Sequence, residues 1–397
     1  MKTTSDLFEH KSDCCGCELC VSVCPKKIIQ MKADKSGFFY PSISDSSFCI
    51  DCGACIACCP VKHADEVRSE FIDYYAGSLT DESELVSCAS GGLATQISRE
   101  IIRKGGVVYG AAYTADCYSA AYVRADTVSD LEQFKGSKYC QVRKNDIYSE
   151  IANDLKTGVL VLFIGLPCDV TAAARKFSGF SNLYTIELIC HGPTSIKVQG
   201  EYTKRLEDRF GSKVKRFSSR YKKNGKWIPF FIHAEFENGK SFTEQFHNGD
   251  YGAAFRYLKR QSCYACKFKE NHFSGDLMIG DYHYVEKGMP GFNSHAVSVA
   301  AVHNEKGEAL LKMCSAENFR LVQIGRRGGL ANGAIHKAVP KPDGQDEFRA
   351  TFEKSGLHAA SGLRFVRESR RKRNVKEKIK KAAVRIKRIL IPSSLPK

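Results

Sequence analysis

Between Cys14 and Pro60 the chain writes one pattern twice: Cys14, Cys17, Cys20 and Cys24-Pro25, then Cys49, Cys52, Cys55 and Cys59-Pro60. Both copies read C-x2-C-x2-C-x3-C-P. Three thiolates at this spacing wrap one corner of an iron–sulfur cube, and the fourth, one helical turn on, ligates the other cube. The spacing predicts one [4Fe-4S] cluster on Cys14, Cys17, Cys20 and Cys59, and a second on Cys49, Cys52, Cys55 and Cys24. Pro25 and Pro60 lack a backbone donor and turn the chain away after the last ligand. Zinc is the rival occupant, but zinc sites close with four ligands in pairs, and two runs of four ending in Cys-Pro fit that poorly. Cys15 and Cys58 fall outside the pattern and read as packing thiols.

Eighteen cysteines in a small secreted chain would mean disulfides. Here they are clustered in 397 residues, and Met1 to Asp13 is polar, which predicts no secretory leader and a reducing cytoplasm. The longest unbroken apolar run, Val159 to Ile164, is too short to span a bilayer. The net charge of +16 is uneven: Arg364 to Arg388 holds 13 Lys/Arg and 2 Glu, so +11 of it sits in one tail. Cluster thiolates add negative charge to the rest, so an argument from basicity applies to the tail alone.

The length suits two or three domains. Residues 1–65 read as a bacterial dicluster ferredoxin-like domain. The polar stretch Asp65 to Glu84 reads as a linker or covering segment. From Leu85 strands and helices alternate: a helix over Gly91–Lys104, strands at Val107–Ala112 and Ala120–Arg124, a helix at Val128–Phe134. The apolar run Gly158–Gly165, a helix at Ala172–Phe177 and a strand at Leu183–Ile189 follow, an α/β texture. Val214 to Phe246 then reads as an antiparallel meander around Asn224-Gly225 and Asn238-Gly239. A helix at Tyr251–Lys259 leads to Cys263-Tyr-Ala-Cys266. The fold class is α+β / α/β: the ferredoxin-like domain, then a mixed α/β body over 66–345 (parts about 85–165 and 166–345) with a meander insertion, then a basic tail over 346–397.

Four body cysteines sit where ligands should. Cys168 follows one strand and Cys190 ends another, at carboxyl ends where open α/β sheets bind ligands. Cys263 and Cys266 form a C-x2-C. The four could hold a third [4Fe-4S] cluster. Cys168 and Cys190 also read as buried core thiols, and the C-x2-C as a redox dithiol.

Six motifs in order make the body resemble the beta subunit of the coenzyme F420 hydrogenase/dehydrogenase family: Ser90-Gly-Gly92, Gly136-Ser-Lys-Tyr139, Gly165-Leu-Pro-Cys168, Leu188-Ile-Cys190-His-Gly192, Cys263-x2-Cys266 and Ile279-Gly-Asp281-Tyr. The likeness runs from about Leu85 to about Val322. It implies an FAD-binding α/β domain passing electrons between a hydride donor or acceptor and iron–sulfur clusters, with the four body cysteines matching cluster-bearing ones. Cys88 and Cys140 beside the first two motifs are small departures. The FAD contacts it suggests are Ser90, Gly91, Gly92, Gly136, Ser137, Lys138 and Tyr139. Ser90 to Gly92 opens a helix, where free N–H groups can meet a pyrophosphate; an ordinary N-cap is the alternative. Lys138 and Tyr139 could contact a flavin or line a surface loop. His191 and His233 are candidate proton donors, and Asp281 reads as a turn or capping residue; no catalytic residue is assigned.

Val375, Ile379, Ala382, Ala383, Ile386 and Leu390 fall at helical spacing in the tail, so it reads as a solvated tail or as a contact to a membrane face or acidic partner. No nucleic-acid-binding motif accompanies its charge. Two functions follow: an oxidoreductase exchanging hydride with a small-molecule or deazaflavin-type substrate at FAD, or an electron-transfer subunit docking on a redox partner protein that holds the substrate site. Either suits a cytoplasmic protein, with the inner membrane face as the tail's peripheral contact.

Overall fold

The computed structural model describes residues 7–66 and 69–390, side chains excepted at 377–378 and 380–390. Its strands are β1 (Ile29–Ala33), β2 (Phe39–Ile43), β3 (Asp73–Leu79), β4 (Val107–Tyr113), β5 (Ala120–Ala125), β6 (Val161–Gly165), β7 (Leu183–Leu188), β8 (Val214–Tyr221), β9 (Phe231–Phe236), β10 (Ser241–Gln245), β11 (Leu277–Asp281), β12 (Ser298–Val302) and β13 (Phe319–Gln323). Eight of them form one sheet in the order β13-β3-β12-β11-β7-β6-β4-β5. Its centre, β4, β6, β7 and β11, is parallel; both flanks are antiparallel.

The central strands read as continuous apolar runs because both faces are covered. Val107, Tyr109, Val161 and Phe163 pack on one face with Ile151, Val170 and Ala173. Val108 and Leu162 point the other way, to Ile97, Ile101 and Leu310. The two-residue side-chain period dictates this split.

Several expected elements form with shifted ends. The helix after Ser90-Gly-Gly92 is Leu93–Arg103, with Gly92 as a left-handed N-cap. Val128 to Phe134 becomes the 3-10 turn Ser129–Phe134. The meander is the sheet β10-β9-β8. Asn238-Gly239 closes β9 onto β10, with Gly239 at φ 78°. Asn224-Gly225 instead sits in a 3-10 turn inside a longer β8–β9 connection.

The stretch Asp65–Glu84 is not a linker. It contains β3, which pairs with both β12 and β13. Asp73, Gly77 and Ser78 hide the strand by composition, while Tyr74, Ala76 and Leu79 are buried in it.

The N-terminal segment is packed into the body. Phe38 and Tyr40 share a core with Val198, Tyr202, Phe348 and Phe352. Cys17 and Leu19 join the core beneath β4 and β6. At the other end, the first turns of the helix Arg364–Leu390 are tied to the body: Val366 is buried, Arg370 Nη2 donates to Gly249 O at 2.9 Å and Arg373 Nη1 to His247 O at 2.6 Å. Val375 and Ile379 are 48% and 62% exposed. The side chains of Ala382, Ala383, Ile386 and Leu390 lie outside those described. Deleting residues 375–397 is therefore expected to leave the melting temperature and iron content unchanged; a drop in either, read by thermal melting and iron assay, would show that the tail packs on the body.

Candidate iron–sulfur and flavin sites

The two cysteine runs surround two cavities. One, of about 410 Å³, is lined by Cys24, Cys49, Cys52 and Cys55 among Ile28, Ile29 and Ile43. The other, of about 430 Å³, is lined by Cys14, Cys17, Cys20 and Cys59, with Cys15 and Cys55 at its edge. Cys24 thus stands with the second run and Cys59 with the first, the crossover the spacing implied. Short helices, Leu19–Val23 and Ala54–Ala57, carry Cys20 and Cys55; each starts from a left-handed residue, Glu18 and Gly53. Burial pushes the Cys20 thiol well up, and the neighbouring thiols of Cys14, Cys58, Cys59 and Cys55 push it further. Crowded thiols of this kind ionise together only when a cation neutralises them. Among the described residues no three His, Cys, Asp or Glu side chains converge on a single-ion position. Thiols ringing a cavity suit a cube better than a tetrahedral ion.

The four body cysteines meet in a third cavity of about 780 Å³. The parallel neighbours β6 and β7 end side by side. Cys168 follows β6 as the second residue of the helix Pro167–Lys176, and Cys190 follows β7. Cys263 arrives on the helix Gln261–Tyr264, and Cys266 just after it. Gly192 has φ +79°, and a Cβ there would press on Cys263 Cβ at 3.0 Å. Its N–H donates to Cys190 Sγ at 3.2 Å. Burial, then the thiols of Cys190, Cys266 and Cys168, push the Cys263 thiol up. Cations stand around the cavity, Lys144 and Lys259 buried and Lys269 half-buried. Lys269 Nζ donates to Cys190 O at 2.8 Å and Lys259 Nζ to Gly192 O at 2.9 Å. Lys144 pairs with Asp169 at 2.9 Å. Such a shell suits an anionic thiolate-bound cluster.

Cys15, read from spacing as a packing thiol, lines both this cavity and that of Cys14. Nothing in the spacing marks it, because the loop's direction depends on residues more than a hundred positions away. Cys58 has a packing role, its thiol donating to Cys55 O at 3.4 Å.

The suggested flavin contacts are placed differently. Gly91 N–H donates to Ser298 Oγ at 3.0 Å, and a Cβ there would lie 2.3 Å from Gly77 O and 2.4 Å from Ser298 N. Gly91 is glycine because β3 and β12 press on it. Ser90 Oγ donates to Val297 O at 3.2 Å, and a Cβ on Gly92 would meet Leu79 at 2.4 Å. Gly91→Ala is thus expected to destabilise the chain by about 1–3 kcal/mol through overpacking, seen as a lower melting temperature with iron content retained; an unchanged melt would show that the junction gives way. Lys138 Nζ donates to the carbonyls of Gln133, Lys135 and Gly136 at 2.7, 3.0 and 3.4 Å. Burial pushes its pKa down to about 7; three carbonyl acceptors match three ammonium protons, which favours the charged form. A Cβ on Gly136 would meet Ser218 Oγ at 3.8 Å, an ordinary contact.

A residue outside every motif links two of them to the residue before a third. Arg220, on β8 and 8% exposed, donates to Asp281 Oδ2 at 2.8 Å, Ala89 O at 2.9 Å and Tyr139 OH at 3.2 Å. Its guanidinium lies 3.8 Å from the Phe230 ring centre. Lys222 Nζ donates to Leu85 O at 2.6 Å and Ser90 O at 3.0 Å, and burial pushes its pKa down to about 8. Asp281 is therefore an ion-pair partner, not a turn residue. His283 sits 3.4 Å from Asp281 and stacks on Trp227. His191 lines the third cavity, its pKa lowered to about 4 by burial and then by Lys259 and Lys269. His233 stays on the meander, bonded to Thr243 Oγ1 at 2.7 Å. The carboxyl ends of β6, β7 and β11 thus bring Cys168, Cys190, His191 and Asp281 to one edge of the sheet.

Residues 13–64 match the 4Fe-4S dicluster domain. Residues 159–325 match the C terminus of the coenzyme F420 hydrogenase/dehydrogenase beta subunit, a span holding the third-cavity cysteines and Asp281 but not Ser90–Gly92 or Gly136–Tyr139. Among solved structures, a chain of the F420-reducing [NiFe] hydrogenase complex from Methanosarcina barkeri (xenon derivatization) is 17% identical, with a TM-score of 0.45, over 74% of this chain and 91% of that one. Comparison with curated proteins gave no match. By these matched segments, the chain is similar over 159–325 to the coenzyme F420 hydrogenase/dehydrogenase beta subunit and carries over 13–64 a segment that matches the 4Fe-4S dicluster domain.

Proposed function

We propose that this chain is an iron–sulfur flavoprotein oxidoreductase that moves electrons between three [4Fe-4S] clusters and FAD, exchanging hydride with a small-molecule or deazaflavin-type substrate. Residues 1–65 would hold two clusters, and the body over 66–345 the third cluster and the flavin. The carrying observation is the third cavity, where four thiols from three separate stretches meet beside the cations of Lys144, Arg260 and Lys269. The cofactors supply the redox chemistry: clusters take one electron, and a flavin takes two as hydride. The chain's own groups position and insulate. Lys259 and Lys269 hold the loops that bear Cys190, and Arg220 holds the Ser90 and Tyr139 segments to Asp281. The room at Gly136 and the Arg220–Lys222 cations support the flavin's place between these segments.

Heat should release FAD from chain purified anaerobically or incubated with excess flavin. No FAD under either condition would overturn the flavin and leave a multi-cluster electron carrier.

The docking-subunit reading is favoured by the rim of the Cys24–Cys49–Cys52–Cys55 cavity. Phe48 and Ile50 are 64% and 57% exposed there, and Cys52 is exposed. An apolar rim beside a cluster site is what a protein electron partner contacts. Turnover of a substrate by the chain alone with a simple electron donor supports the enzyme; only diaphorase-type activity supports the subunit.

A further inference from the structure

Arg260 stands between two of the cavities. It lines the third, and its carbonyl accepts from the Cys263 N–H at 3.0 Å where the helix Gln261–Tyr264 begins. Its side chain reaches into the N-terminal segment. Nε donates to Cys14 O at 2.7 Å, Nη1 to Phe39 O at 2.9 Å and to Gln141 Oε1 at 3.4 Å, and Nη2 to Cys14 Sγ at 3.3 Å. The guanidinium lies 4.0 Å from the Tyr40 ring centre. Gly16, at φ +76°, comes so close that a Cβ there would lie 2.9 Å from Arg260 Cζ. Arg260 is 1% exposed, so water does not screen these contacts.

An arginine stays charged even when buried, and a buried charge is costly unless a counter-charge meets it. Three of its acceptors, Cys14 O, Phe39 O and Gln141 Oε1, are neutral carbonyl oxygens, and no carboxylate is among them. The fourth is the sulfur of Cys14, which lines the first N-terminal cavity. A cluster-bound cysteine is a thiolate, and it supplies the missing negative charge. We propose that Arg260 is the buried counter-charge of the first cluster, a positioning residue that donates to the Cys14 thiolate and holds that cluster's potential up. The proposal rests on the reading that Cys14, Cys17, Cys20 and Cys59 hold a [4Fe-4S] cluster. A reduced cluster is more negative than an oxidised one, so a fixed cation and a hydrogen bond to its sulfur favour the reduced form. Arg260 does not line the Cys24–Cys49–Cys52–Cys55 cavity, so the second cluster serves as an internal reference.

The test is a redox titration of the anaerobically reconstituted full chain, followed by electron paramagnetic resonance, with iron counted per chain. Cys17→Ser with Cys20→Ser identifies the first cluster's signal, and Cys263→Ser with Cys266→Ser the third's, which leaves the second's. Arg260→Gln, which keeps a donor but not the charge, should lower the first cluster's potential and leave the second's where it was. Arg260→Lys, which keeps the charge but not the fork, should recover part of the shift. Full iron with an unshifted first potential in Arg260→Gln makes Arg260 a clamp on the loop alone and overturns the proposal. An equal shift of the first and second potentials is a general loosening and also overturns it. Should Arg260→Gln shed the first cluster, Arg260→Lys decides: a cluster retained there shows that the site requires the charge, and loss from both variants overturns the proposal. If the wild-type chain has no signal that the Cys17/Cys20 variant removes, the first-cluster reading falls and this proposal with it, an outcome distinct from the others.

Discussion

Replacing Cys263 and Cys266 together by serine is expected to cut the iron of the anaerobically reconstituted chain from about twelve atoms to about eight, one cube of three. Both residues line the third cavity, opposite Cys168 and Cys190. A cube left with two of four thiolates is expected to be lost. The cavities of residues 13–64 share no wall with Cys263 or Cys266, so their irons stay. Iron and sulfide assays read the count. Twelve irons in the double variant would show that the C-x2-C binds no cluster and is the redox dithiol its spacing also allows.

Arg220→Leu is expected to cost about 3–5 kcal/mol, because it leaves the buried Asp281 carboxylate without its counter-charge. It also strips Ala89 O and Tyr139 OH of their donor. The double variant Arg220→Leu with Asp281→Asn should recover a good part of the loss, since no charge is then stranded. The pH dependence has a definite sign. Burial alone raises the Asp281 carboxyl; Arg220 more than offsets it, and the group sits below the ordinary carboxylate range. In the wild-type chain this contributes stability above the ordinary carboxylate pKa, near 4, that is lost as pH falls below it. In Arg220→Leu, burial is opposed only by the weaker effects of His283 and Ser90, and protonating Asp281 relieves the cost. The gap between variant and wild type should therefore narrow from pH 7 toward pH 5. Melting temperatures across that range measure it; a constant gap would show that Arg220 acts by packing against Phe230 alone.

The two N-terminal cavities were legible because the cysteines that line them come at fixed short spacing, and a short spacing fixes a local loop. The crossover of Cys24 and Cys59 follows from the same local rule. The central strands were legible because burial on both faces demands unbroken apolar runs. β3 was not, since Asp73 and the small residues Gly77 and Ser78 make it read as polar. Its strand state comes from pairing with β12 and β13, far along the chain. Ser90-Gly91-Gly92 carries a constraint that the local sequence does not show. Glycine at a helix start suggests a phosphate, and the close approach of two strands also requires it here.

By itself, then, the sequence determined the spacing of the two cysteine runs, the alternation of strands and helices, and the uneven charge, all set by neighbours a few residues apart. Only the tertiary structure decided which distant groups meet. Arg220 belongs to no motif, and Cys15 looks like a spacer; β8 carries one to Asp281, and a loop clamped by Arg260 and Lys144 sets the other against both the first and the third cavity. Hydrogen bonds and ion pairs act over a few ångströms in space, whatever the separation along the chain, so such partnerships exist only once the sheet has brought its carboxyl ends together.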